Sequence, residues 1–139
     1  MNACESPDVI RILLVDDHGP TRREICSLIN SDAGLCVVAE ARTGEESIEM
    51  ARAFDPDIIV MDLMLPGMNG TDAARTILHN NVHTRVLIVS NYCDDGLLRA
   101  VHHSGASGYV RKEHAFETLI PAIRAVGAGK EYWSDSPYE

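Results

Sequence analysis

Asp16 and Asp17 stand side by side where the apolar run "ILLV" ends, Asp62 closes "DIIVMD", Ser90 follows "RVLIV", and Lys112 follows "GYVR". Carboxylates that meet repel one another, and at least one pKa rises unless a cation sits among them. An all-oxygen ligand set suits Mg²⁺, which keeps several waters and often shares phosphate oxygens with its protein ligands. A lysine facing the metal would add a second positive charge for a transferring phosphoryl group, and a hydroxyl would donate a hydrogen bond to it. Aspartyl phosphates are an established covalent intermediate, so the carboxylate ending a central strand, Asp62, is the nucleophile candidate. Each residue alone has a plainer reading. Asp16 and Asp17 would cap a helix, a stabilisation of ~1 kcal/mol; Asp62 would be a turn residue, Ser90 structural, and Lys112 a solvated surface charge. Their convergence favours the chemistry.

That convergence requires a particular fold. The runs "IRILLV", "LCVVAEA", "DIIVMD", "RVLIVSN" and "GYVRK" are predicted strands. Between them lie helically spaced apolar residues, such as Ile48, Ala51 and Phe54, or Phe116, Leu119, Ile120, Ile123 and Val126. Strand and helix in alternation imply a parallel sheet with right-handed crossovers and helices on both faces. The first, third and fourth runs are the most uniformly apolar, as strands buried on both faces must be, so they occupy the centre. The expectation is an α/β, flavodoxin-like, doubly wound five-stranded sheet of order 2-1-3-4-5, whose ligands bind beyond the carboxyl ends of the strands. Thr43 with Glu46 fits a capping box, Thr21 with Glu24 suggests another, and Asn69-Gly70 marks a turn. Pro121 predicts a fifth helix that is kinked or begins late, because proline inside a helix costs ~3 kcal/mol.

The bulk properties exclude several classes. The 139 residues suit one core: a flexible tail over 1–9, a domain over 10–129, and a tail or linker start over 130–139. No apolar run approaches the ~20 residues that cross a bilayer, and "MNACESPD" lacks signal-peptide order, so a cytoplasmic location without membrane contact is expected. The net charge of −9 argues against direct nucleic-acid binding. Cys4, Cys26, Cys36 and Cys93 show no metal-type spacing and are expected to be reduced. Adjacent His102 and His103 cannot share a helical face, and His18 is expected to be an exposed loop residue.

Taken together, "LLVDDH", "PDIIVMDLMLPGMNG", "RVLIVSN" and "GASGYVRK" resemble, in order, the signature stretches of response-regulator receiver domains of two-component signalling, nearest the NarL/FixJ-like subfamily. The resemblance spans roughly Arg11 to Gly129. It implies that Asp62 is the phosphoacceptor, that Asp16, Asp17, Asp62 and the Met64 carbonyl hold Mg²⁺, and that Ser90, Lys112 and Tyr109 are the switch hydroxyl, the phosphate-pairing lysine and the switch aromatic. It further implies a histidine kinase or phosphotransfer partner, homodimerisation on phosphorylation, and a signal carried by the fourth helix, fifth strand and fifth helix to an output domain absent from this chain, commonly a helix-turn-helix that controls transcription. Such a domain catalyses only its own phosphorylation and slow dephosphorylation. Met64 and Tyr92, each two residues beyond a site residue, are expected to shield the phosphoryl group from water. A haloacid-dehalogenase-type phosphatase would need two aspartates separated by one residue, where this chain has them adjacent. A pseudo-receiver would keep the fold and lose Mg²⁺ binding.

Overall fold

The computed structural model describes residues 4, 6–91 and 94–134. Six parallel strands form one sheet of order β2-β1-β3-β4-β5-β6. They are β1 (Ile10–Val15), β2 (Leu35–Ala41), β3 (Ile58–Asp62), β4 (Arg85–Ser90), β5 (Gly108–Arg111) and β6 (Tyr132–Trp133). The order expected for the first five strands holds, and the expected count of five is corrected to six. Strand β6 comprises two residues, too few to display an alternating pattern, and it falls in the segment expected to be a tail or linker start.

Helices α1 (Gly19–Asn30), α2 (Gly44–Phe54), α3 (Gly70–Asn80), α4 (Asp95–His103) and α5 (Ala115–Gly127) cover the two faces. Ile25 and Ile29 of α1 join Leu119, Ile123 and Val126 of α5 against Ile12, Ile58 and Leu87 on one side. Ala51 of α2, Ala74 and Ile77 of α3 and Val101 of α4 pack on Leu13, Ile59 and Ile88 on the other. Every residue of β3 is buried, which is why its sequence is an unbroken apolar run up to Asp62. Among the described residues, no helix is long and apolar enough to cross a membrane.

The helix starts follow local chemistry with one correction. The Thr43 hydroxyl accepts from the Glu46 N–H at 3.0 Å, and Asn69 and Asp94 cap α3 and α4 in the same way. Thr21 is not the cap of α1. The helix begins three residues earlier than that reading allows, with Pro20 in its first turn and the exposed His18 imidazole accepting from the Thr21 N–H at 3.2 Å. Pro121 lies within α5, a single helix over Ala115–Gly127, so the later start is excluded. It sits on the exposed side of the helix, as does Glu117, whose carbonyl loses its N–H partner.

Cys4 and Cys36 form a disulfide with Cα atoms 5.4 Å apart, which corrects the expectation of reduced thiols for this pair. The bridge ties Cys4 to edge strand β2, a tertiary contact across 32 residues that no spacing motif announces. Cys26 is free, and Cys93 lies outside the described residues.

One glycine fixes how closely a helix meets the sheet. A Cβ on Gly70 would stand 2.3 Å from the Asp62 carbonyl oxygen, so α3 starts directly against the end of β3. Gly70→Ala is expected to lower stability by about 1–3 kcal/mol, the usual cost of overpacking, as read by urea denaturation. A wild-type midpoint would show that the contact relaxes freely.

Candidate metal and phosphoryl site

The carboxyl ends of β1, β3 and β5 place Asp16, Asp62 and Lys112 together. Asp16 follows β1 and is buried, Asp62 is the last residue of β3, and Lys112 opens the 3-10 turn that follows β5. The Lys112 ammonium lies 2.8 Å from Asp16 Oδ2 and 2.9 Å from Asp62 Oδ2. One oxygen from each of Asp16, Asp17 and Asp62 falls within a 4.8 Å cluster, with Asp17 at the exposed rim. The sequence-derived carboxylates and lysine therefore meet.

Backbone donors fix the remaining oxygens. Asp16 Oδ1 accepts from the His18 N–H at 2.9 Å, and Asp62 Oδ1 accepts from the Met64 N–H at 3.2 Å. Asp16 Oδ2 is buried and, although it is ion-paired with Lys112, receives no aligned hydrogen bond. A buried carboxylate oxygen in that condition, beside two further carboxylates, fits a hard divalent cation.

Charge and burial compete here. Burial pushes the Asp62 carboxyl above its ordinary value, and Asp16 adds to that push, while the Lys112 hydrogen bond and charge oppose it. For Lys112, burial is the largest single influence and works against its charge; its close contacts with the Asp16 and Asp62 carboxylates together prevail, and its pKa is raised. A cation added among the carboxylates would favour the ionised form of Asp62.

Ser90 and Tyr109 stand next to this cluster. Ser90 ends β4, is buried, and pairs in the ladder with Arg111, the residue before Lys112; its neighbour Val89 pairs with Asp62. Tyr109 is 2% exposed, and its hydroxyl lies 3.5 Å from the Ser90 carbonyl. Met64 is 61% exposed at the rim. Tyr92 lies outside the described residues.

Arg22 was not foreseen. Its guanidinium donates to the Asp16 carbonyl at 2.8 Å through Nη1 and to Glu40 Oε1 at 3.0 Å through Nε, pinning the backbone of the acidic pair to β2. The available signal was a basic residue on the stripe that Arg22 shares with Ile25 and Ile29, the buried face of α1.

An α/β sheet that gathers three carboxylates and a lysine at its strand ends matches the arrangement that the sequence resemblance implied. Residues 12–124 match the response regulator receiver domain family, and the chain belongs to it: this is a signalling receiver domain. Response regulator GacA of Pseudomonas aeruginosa is 35% identical over 126 residues, covering 91% of this chain and 59% of the relative. The transcriptional regulatory protein DegU of Brevibacillus brevis is 32% identical over 132 residues, covering 95% and 56%. The chain thus spans little more than half the length of these relatives. A two-component response regulator of the LuxR family from Aurantimonas sp. superposes with a TM-score of 0.88 at 38% identity, covering 91% of each chain. The receiver domain of the putative response regulator NarL from Mycobacterium tuberculosis gives 0.85 at 26%, covering 89% and 100%.

Lys112→Met leaves Asp16 and Asp62 buried without their counter-charge. In chelator it is expected to destabilise the fold by about 3–5 kcal/mol, and added divalent cation should recover more of the loss than it adds to wild type. Equal thermal stability of the two proteins in chelator would show that the ion pairs do not hold the site.

Proposed function

We propose that the chain is a phosphorylation-dependent switch that receives a phosphoryl group on Asp62 from a histidine kinase, a phosphotransfer protein or a small phosphodonor. The observation that carries this reading is Lys112 seated between Asp16 and Asp62 within an oxygen-only cluster at the strand ends. Mg²⁺ bound by Asp16, Asp17, Asp62 and the Met64 carbonyl would supply positive charge against the phosphoryl oxygens. Asp62 attacks the phosphorus in line; its O–P bond forms as the P–N bond of phosphohistidine breaks, and the imidazole leaves with the electron pair. Lys112 neutralises charge on the transferring group. Ser90 then donates to a phosphoryl oxygen, which favours the inward position that Tyr109 holds beside it and so shifts an existing equilibrium.

The receiver unit is residues 10–129, preceded by a tail and followed by 130–139, of which Tyr132–Trp133 rejoin the sheet. GacA and DegU carry the names of a response regulator and a transcriptional regulatory protein, which supports a cytoplasmic protein with a DNA-binding output beyond this chain. The domain itself, at net charge −9, does not bind nucleic acid directly. The surface of α4, β5 and α5 carries the signal, including homodimerisation. A groove of about 200 Å³ lined by Ile25, Leu28, Lys112 and Phe116 opens beside the site and gives the phosphodonor its approach.

Intact mass after incubation with acetyl phosphate and Mg²⁺ tests the proposal. One added phosphoryl group is expected, absent from Asp62→Asn and from a chelated sample; no adduct on a folded protein would favour a pseudo-receiver. Lifetime gives a second expectation. Met64 and Tyr92 screen the phosphoryl group from water, so Tyr92→Ser should speed dephosphorylation by roughly 3- to 10-fold, at most about 1.4 kcal/mol of barrier. An unchanged decay would remove the shielding role.

A further inference from the structure

Strand β6 is built onto the residue that the receiver reading makes the switch aromatic. The Tyr132 N–H donates to the Ser107 carbonyl at 3.1 Å, and the Ser134 N–H donates to the Tyr109 carbonyl at 2.9 Å. Gly108 pairs with Tyr132, and Tyr109 with Trp133. The pairing depends on a missing side chain: a Cβ on Gly108 would stand 2.3 Å from the Tyr132 carbonyl oxygen. Only glycine admits the strand at this distance.

The side chains straddle the sheet. Tyr132 packs with the α1 and α5 layer, while Trp133 packs with the opposite layer, in the cluster that contains Tyr109, Leu98 and Val101. Residues paired across a parallel ladder point to the same face, so Trp133 is the lateral neighbour of Tyr109. Trp133 is anchored from both sides: its ring stacks on His102 of α4 with centroids 3.7 Å apart and planes 20° apart, and its Nε1 donates to Glu131 Oε1 at 2.8 Å. The stacked pair bridges α4 and β6 on the face of the sheet that buries Tyr109.

We infer that Trp133 is a positioning residue that holds Tyr109 inward, so that the C-terminal strand and the switch stabilise each other. The inference rests on the receiver reading of Asp62 and Tyr109. Linkage makes the coupling reciprocal: an event at Asp62 that favours inward Tyr109 tightens β6, and loss of Trp133 makes the switched state harder to reach. The segment that leaves Trp133 would then sense the phosphorylation state through the backbone of β5. The edge of β5 is covered by the chain's own strand, so a partner on the α4, β5 and α5 surface meets β6 as part of it.

Trp133 is the single tryptophan of the chain, so its emission reports on β6 alone. The probe is beryllofluoride with Mg²⁺, and acrylamide quenching of Trp133 is expected to fall on its addition to wild type and to stay constant in Asp62→Asn. Trp133→Ala should slow acetyl phosphate labelling of Asp62, read by intact mass, by about fivefold, and Trp133→Phe should restore it; thermal stabilisation by Mg²⁺ should be the same in all three. Gly108→Val should expose Trp133 to acrylamide with or without beryllofluoride. Unchanged quenching in a wild-type protein that does accept a phosphoryl group would overturn the coupling and leave the receiver reading standing. Wild-type labelling by Trp133→Ala would do the same, whereas no labelling of any variant would remove both.

Discussion

The structure depends on one cation reaching across its sheet. Lys112 follows β5, and the two carboxylates it meets end β1 and β3, with β4 lying between β3 and β5. Neighbouring strands are ~4.8 Å apart, so the ammonium must bridge nearly two strand spacings from β5 to Asp62. A long flexible side chain is needed for this, and lysine supplies it with a compact charge. Without that charge, buried Asp16 and Asp62 would face each other and exposed Asp17 with no compensation.

The same arrangement explains why the site is poised. One lysine against three carboxylates leaves a net negative cluster, and burial already raises Asp62. Local stability is given up for a cluster that a divalent cation would relieve, a conflict of the kind concentrated at functional sites. Surrounding elements hold the conflict in place. Arg22 fixes the Asp16 carbonyl, the α3 start presses against the Asp62 backbone at Gly70, and hydrophobic layers on both faces clamp the strands.

The central part of this design was legible in the sequence. Strand β3 and the C-terminal parts of β1 and β4 are buried and read as apolar runs, so their ends, and hence Asp16, Asp62 and Ser90, were legible too. What escaped depends on tertiary contact. Strand β6 is two residues long and exists because Gly108 leaves room for it; the Cys4–Cys36 pair joins segments 32 residues apart; Arg22 reads as an ordinary helical cation until its partners are placed. The α1 cap was misassigned for a different reason. A histidine is an unusual cap, and Thr21, a favoured type with Glu24 three residues on, drew the assignment away from His18.

The measurement that most directly tests this account is a calorimetric titration of the folded chain with Mg²⁺, with Asp16→Asn and Asp62→Asn in parallel. The account predicts one saturable site in wild type and a marked loss of affinity in both variants, since each removes an oxygen from the cluster that faces Lys112. Absence of binding to wild type, or binding unaffected by either substitution, would contradict it.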